Sequence, residues 1–483
     1  MNYVELFDAI NNQKAYDEKR LKEKYQKSGF MKNFRFTKHY LNDLILKSLE
    51  NYHQDRTVIS KLRSLLNRIE ILISKRLYSQ AEKQLKKALS LARDHQKWPQ
   101  MLQILANLLA MKVSFSDKAR NRAVHDTLLD EAFHVLDVYQ EEWNYRSQNE
   151  KLAQVYADMV LARSEEDEID IDLLWQAIAD DDAQPRSRVA KVFFHGDRAT
   201  IFRARSDFKS AHREMLQVVE LLEEDEVYRN ENLFRYMQAL NNLSISCEET
   251  GNYELLMDAI GRMKRNVLPH LPNNIRYEAY VFGAMYQPHL NYCVEYGRIE
   301  EGLEVAQKTE KALKDYDQYL SDGMRIAFYY LLAYMYFVAD KKEKALDWLN
   351  HLYNLSGIDS RKEIQAYGRI MQLILHYELG NTLLVSNLVK STYRYIYNLD
   401  KLYDFERTLL IFIRKEFPGI GRLISEEQAF SELNRRLRKV IANNPMEKRA
   451  LNFFDLTAWL ESKLENKTFA EVMQQKELTV SVS

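Results

Sequence analysis

The chain has 483 residues and a net charge of −1, is 46% hydrophobic and 29% charged, and holds 13 Gly and 7 Pro, against roughly 34 and 24 at average usage. So little Gly and Pro excludes turn-rich β architectures and Gly-loop nucleotide folds, and favours long helices around a large core. Cys247 and Cys293 are the two cysteines, which excludes a disulfide framework and a four-thiolate metal site and fits a reducing compartment.

The N-terminal MNYVELFDAI carries Glu5 and Asp8 and has no basic stretch followed by an apolar run. It is therefore not a secretory leader, and a cytoplasmic protein is expected. Residues 1–58 predict two or three helices forming a cap, the clearest over 31–52. Residues 1–95 hold 20 Lys+Arg against 11 Asp+Glu. The lysines recur at helix spacing, as in KRLKEKYQK, which describes a solvated helix face and disfavours nucleic-acid binding.

Residues 62–73 and 77–92 each have apolar positions at i, i+3, i+4 and i+7, so two antiparallel amphipathic helices are expected. Glu50/His53 and Glu131/His134 have the Glu-x-x-His spacing of helical metal ligands, but belong to different units, so no metal site is expected. The acidic run 164–185 predicts a loop with a short helix around 171–179, ending at Pro185. It lacks the Gly turn and terminal Glu of a calcium loop. His195 and Asp197 form an HGD triplet with no accompanying nucleophile, so no catalytic role is expected.

Beyond this point one pattern recurs. An apolar helix is followed by a polar turn and a second, Ala-centred helix at 205–222, 250–263, 296–313, 339–355 and 379–396. Residues 266–274, NVLPHLPNN, predict a linker. Pro288 falls inside a predicted helix, where it is expected to bend the axis by roughly 20° or more. After PGIG at 418–421, helices are expected over 423–442 and 446–465 as a C-terminal cap (418–473). The tail 474–483 is expected to be disordered. No stretch is long and apolar enough for a bilayer span.

Tyr329, Leu332, Ala333, Tyr336, Ala345 and Leu349 carry the pattern best, with Leu240, Leu243, Ser244, Gly251, Tyr253 and Ile260 one unit earlier and Ala199, Phe202, Phe208, Ala211 and Met215 before that. The pattern resembles the tetratricopeptide repeat. Equivalent positions at 211, 256, 302, 345 and 385 stand 40–46 apart, so the resemblance is to the degenerate, long-helix kind found in bacterial regulatory and adaptor proteins. It implies an all-α right-handed superhelix of antiparallel helix pairs over 59–417. A single pair cannot cover its own apolar face, so neighbours must stack.

Cys247 and Cys293 share one repeat position and are read as buried packing thiols. The resemblance turns Phe193, Arg203, Asn241, Gln287, Asn291, Tyr330, Tyr334, Phe337, Tyr367 and Tyr377 toward the concave groove. Aromatics with amides and a guanidinium suit an extended peptide. The expected function is therefore a non-enzymatic scaffold or adaptor for a protein or peptide partner, without a cofactor or metal. The alternative is a ligand- or peptide-responsive sensor, with Pro288 and the 266–274 linker as a hinge. A homodimer is compatible with the sequence.

Overall fold

The structure is a computed structural model, described over residues 2–13, 16–53, 56–114, 118–158, 171–172, 175–176, 185–355, 361–399, 402–417, 420 and 424–480. Among these residues the fold is all-α, 85% helical and without strands, compatible with a helical-repeat protein. No helix among them is long and apolar enough to cross a membrane. Compactness divides the chain into two units, Met1–Glu142 and Trp143–Ser483.

The first unit begins with α1 (Asn2–Asn11), α2 (Glu18–Lys24), a 3-10 turn (Gly29–Asn33) and α3 (Phe34–His53). Leu6, Phe30, Phe34 and Leu41 form their small core. Next come α4 (Val58–Ser74), α5 (Tyr78–Asp94), α6 (Trp98–Ser114) and α7 (Lys118–Asp158), the boundary between units falling within α7. Thr57 opens α4 with a capping box closed by Ser60, satisfying N–H groups that the first turn leaves free. Leu62, Leu66, Ile69, Ala81, Leu85 and Ala88 pack α4 on α5. The Ala positions let the two axes approach closely.

In the second unit, the helix pairs are α8 (Arg188–Ala204) with α9 (Phe208–Glu223), α11 (Leu233–Glu249) with α12 (Tyr253–Arg262), α13 (Ile275–Glu295) with α14 (Ile299–Tyr316), α15 (Asp322–Val338) with α16 (Lys342–Asn354), and α17 (Lys362–Glu378) with α18 (Thr382–Tyr397), a short α10 (Glu226–Glu231) preceding α11. First helices also pack in sequence, α11 on α13, α13 on α15 and α15 on α17. The chain then continues through α19 (Asp404–Lys415), α20 (Glu426–Asn443), a 3-10 segment (Pro445–Asn452), α21 (Leu456–Leu464) and α22 (Phe469–Val480).

One turn closes the hairpins in both units. The N–H of Leu77, Lys97, Asp207, Asn252, Arg298, Lys341 and Asn381 reaches back five residues to a helix carbonyl at 2.8–3.0 Å. The residue before each has positive φ: Arg76, Gln96, Ser206, Gly251, Gly297, Asp340 and Gly380. This is the left-handed helix stop that satisfies the last carbonyls.

Gly297 matters beyond its φ of +64°, because an added Cβ would lie 2.9 Å from the Gln474 amide nitrogen and 3.2 Å from the Met473 Cβ. Gly380, at φ +71°, has open space around it. Gly297→Ala should therefore loosen α22, raising amide hydrogen exchange over 469–475. Gly380→Ala should cost only the left-handed strain of about 1–2 kcal/mol and leave that exchange unchanged. Equal exchange in the two variants would contradict this.

Three expectations are corrected. The 266–274 stretch is not wholly a linker: a π turn (Met263–Val267) and a 3-10 turn (Leu268–His270) prolong α12, since Pro269 sits in a first turn where its missing N–H costs nothing. The helix expected over 446–465 is split around Phe453–Asp455, where the Asp455 carboxylate caps α21 through the Ala458 N–H at 2.9 Å. The tail is helical as far as Val480, anchored by buried Val472 and Met473 and by the Gln474 amide donating to the Gly297 carbonyl at 2.9 Å. Of the acidic stretch 164–185, residues 164–170, 173–174 and 177–184 lie outside the described residues. Ile171 is buried, and Trp175 packs on Phe202 with the Arg198 and Arg205 guanidiniums 5.3 and 5.0 Å from its ring.

Candidate functional site

The first helices of the second unit turn one polar face into a cavity of about 440 Å³. Arg203 on α8, Asn241, Glu248 and Glu249 on α11, Gln287 and Asn291 with Glu295 on α13, and Tyr330 on α15 line it, and Asn452 and Phe453 close one side. A second cavity of about 590 Å³ shares Asn291, Glu295 and Asn452 and adds Tyr334, Asp455 and Arg438.

Carboxyl groups dominate the electrostatics. Arg203 Nε donates to Glu249 Oε1 at 2.6 Å, and Asn291 Nδ2 donates to Glu248 Oε1 at 2.7 Å. Burial, then the neighbouring Glu295 and Glu249 charges, push the Glu248 carboxyl well above the usual carboxylate range, while Asn291 opposes this. Glu248 therefore sits where burial and two neighbouring carboxyl groups all disfavour its charged form. Burial also raises Glu249, against the pull of Arg203. The cavity thus combines carboxyl and amide groups with apolar walls from Phe208, Ile245, Met324, Leu331 and Ile364.

Beside it the C-terminal segment lies on the aromatic part of the same face. The Tyr330 hydroxyl donates to the Phe453 carbonyl at 2.6 Å, and the Tyr334 hydroxyl accepts the Asp455 N–H at 3.0 Å. Phe337 packs on Phe454 and Phe469 with ring centroids 6.0 and 5.6 Å apart. Tyr367 stacks on Phe453 at 5.2 Å and donates to Glu406 at 2.7 Å. Further along, the Trp459 indole donates to Glu378 at 2.8 Å, and Arg449 donates to the Arg205 carbonyl at 3.0 Å.

No family model matches the chain, and no curated protein matches it. The site's own chemistry therefore carries the reading.

The structure gathers Arg203, Asn241, Gln287, Asn291 and Tyr330 around one cavity and sets Tyr334 in the adjoining one. It separates the other four. Phe193 is buried between the Arg146 and Arg235 guanidiniums, 5.3 and 4.6 Å from its ring. Phe337 and Tyr367 are covered by the C-terminal segment. Tyr377 packs on Phe417 and Phe430 and donates to Glu426.

Sequence reasoning missed the carboxyl pair and the covering segment. Glu249 and Glu295 stand 46 residues apart at one repeat position, a signal that could have found those two but not Glu248, whose equivalent is Val294. Nothing local marks Phe453–Asp455. His195 and Asp197 do not act together: His195 meets Glu214 at 2.6 Å, while Asp197 takes a hydrogen bond from Asn149 at 2.6 Å. In the first unit, a wide depression of about 920 Å³ runs along 32–42 beside Lys32, Arg35, Phe36 and Lys38. One short stretch of chain supplies its lining, which describes a solvated basic surface.

Proposed function

We propose that the protein is a non-enzymatic, tetratricopeptide-like scaffold that binds a protein or peptide segment on the concave face of its second unit. The observation that carries this reading is the use of Tyr330 and Tyr334. Each spends its hydroxyl on a main-chain group of an irregular segment, the Phe453 carbonyl and the Asp455 N–H. Side chains that satisfy main-chain groups while aromatic rings pack around them are the means by which a groove holds a peptide. Asn241, Gln287 and Asn291 offer the same chemistry in the cavity alongside, Asn291 with one donor already on Glu248.

A photoreactive benzoylphenylalanine at Gln287 or Asn241 of the full chain tests this in lysate of the native cell. A discrete crosslinked protein is expected, and it should be lost when Arg203 and Asn291 are changed to Ala. The same bands from the reagent placed at Leu383, on the exposed side of α18, would overturn the reading. One observation favours the second reading, a ligand-responsive regulator: the cavity of about 440 Å³ falls in the small-molecule range of roughly 300–1,000 Å³, with Pro288 in its wall. Stabilisation by a metabolite without any crosslinked protein would favour it.

A further inference from the structure

Cys247 and Cys293 occupy the same repeat position, yet their surroundings differ. Around Cys247 the equivalent positions are Leu243, one turn earlier, and Leu255 on the partner helix. Around Cys293, 46 residues on, they are His289 and Glu301. In the following unit they are Leu332, Tyr336 and Lys344. Of these three units, only the one around Cys293 thus sets two metal-ligand types beside the thiol position, His289 where its neighbours have leucine and Glu301 where they have Leu255 and Lys344.

The geometry brings them together. His289 and Cys293 are four apart on α13 and share a face. Glu301 comes from the first turn of α14, just before Gly302. A Cβ at Gly302 would lie 3.0 Å from the Cys293 Cβ, so glycine allows this approach. One donor atom from each of His289, Cys293 and Glu301 lies within 4.8 Å of the other two, and no other such group of three His, Cys, Asp or Glu occurs among the described residues. His289 Nε2 is 2.7 Å from Glu301 Oε1. Cys293 is buried, while the His289 and Glu301 side chains are 14% and 29% exposed, so an ion can enter from their side.

Outer contacts fix the carboxylate. The Tyr253 hydroxyl donates to Glu301 Oε1, and Arg298 lies 3.6 Å from Oε2 and stacks over the Tyr253 ring at 4.0 Å. Supporting hydrogen bonds of this kind orient metal ligands and tune their affinity. The guanidinium faces Oε2, and Oε1, which accepts from Tyr253 through one lone pair, turns the other toward His289, where a metal would lie between them. We propose that His289 Nε2, Cys293 Sγ and Glu301 Oε1 form a binding site for a zinc-class divalent cation, with a fourth position for water.

Mixed nitrogen, sulfur and oxygen donors in tetrahedral array select Zn²⁺ among common divalent ions, while Mg²⁺ and Ca²⁺ prefer oxygen alone. Bond lengths of about 2.0–2.3 Å place the nitrogen and oxygen ligands about 3.3 Å apart. His289 and Glu301 must therefore separate by roughly half an ångström, within the reach of two partly exposed side chains. On binding, the Cys293 thiol gives up its proton to solvent. The His289 ring carries its proton on Nδ1, freeing the Nε2 lone pair for the metal. Metal and two anionic ligands then balance in charge, and no redox step is involved.

The site is independent of the peptide-binding reading. Metal-free full-length protein titrated with CoCl2 is expected to bind one equivalent, giving a thiolate-to-cobalt charge-transfer band and visible bands of tetrahedral intensity that Zn²⁺ abolishes. Cys293→Ser should remove the charge-transfer band with helical circular dichroism intact, and Cys247→Ser should retain it. Glu301→Gln provides a second variant if Cys293→Ser does not fold; it should weaken cobalt binding by at least about 10-fold. Absence of the band in the native chain, its persistence in Cys293→Ser, or unchanged affinity in Glu301→Gln would each overturn the proposal.

Discussion

Trp459→Ala is expected to cost about 3–5 kcal/mol of stability. Trp459 is among the largest fully buried side chains. It meets the Phe430 ring edge-on at 5.2 Å and hydrogen-bonds Glu378, a carboxylate also paired with Lys342 at 3.1 Å and with Lys463. Truncation removes the aromatic burial and leaves a cavity between α20, α21 and α17. Trp459→Phe keeps most of the burial and loses the hydrogen bond to a charged group, so about 1.5–3 kcal/mol is expected.

Urea denaturation gives both values. Hydrogen exchange tells whether the loss is local, because stacked helices draw stability from nearest neighbours. In Trp459→Ala, faster exchange should appear first over Leu456–Leu464. A loss below about 1 kcal/mol would contradict the packing account. The Glu378 ion pairs add an acid dependence. Burial acts to raise its pKa, but the Lys463, Trp459 and Lys342 contacts outweigh this and hold it below the usual carboxylate value. Its contribution is therefore present above the unfolded pKa and is lost as pH falls through the lower folded value.

Asp197→Asn is expected to stabilise the protein at pH 8 and to leave stability nearly unchanged at pH 4. Asp197 is fully buried on α8, and its Oδ2 has no hydrogen-bond partner among the described residues. Burial pushes its carboxyl from 3.8 up to about 7, with the Asn149 amide opposing. Between those values the folded state holds a proton that the unfolded state releases. Stability therefore falls as pH rises from about 4 to about 7 and is level above. A shift of about 3 units corresponds to about 4 kcal/mol, so a gain of about 2–4 kcal/mol at pH 8 is expected. The asparagine can still accept from Asn149. Urea curves at pH 4, 6 and 8 check this, and an equal effect at pH 4 and pH 8 would contradict it.

The helices were legible because their apolar positions repeat at 3.6-residue spacing in Leu77–Ala92 and Tyr329–Tyr336, and because Gly251, Gly297 and Gly380 mark left-handed stops. At Arg76, Ser206 and Asp340 the same stop forms without glycine, so those turns were visible only through the helices they separate. The cavity was partly legible. Asn241 and Gln287 share one repeat position, with Asn291 one turn further along the same helix face, and such spacing is a local property. What the tyrosines touch was not. Tyr330 and Phe453 are 123 residues apart, and no periodicity links positions so distant.

The thiol position makes the same division. Sequence by itself put Cys247 and Cys293 at one repeat position on the buried side of a helix, and fixed the all-α character through its scarcity of Gly and Pro. Only the tertiary structure decided that the C-terminal segment covers Phe337 and Tyr367, that Glu248 is buried beside Glu295 and Glu249, and that Glu301 reaches His289 and Cys293. Local periodicity dictates which face of a helix is apolar. The identity of the group it meets across the core depends on how separate helices are stacked.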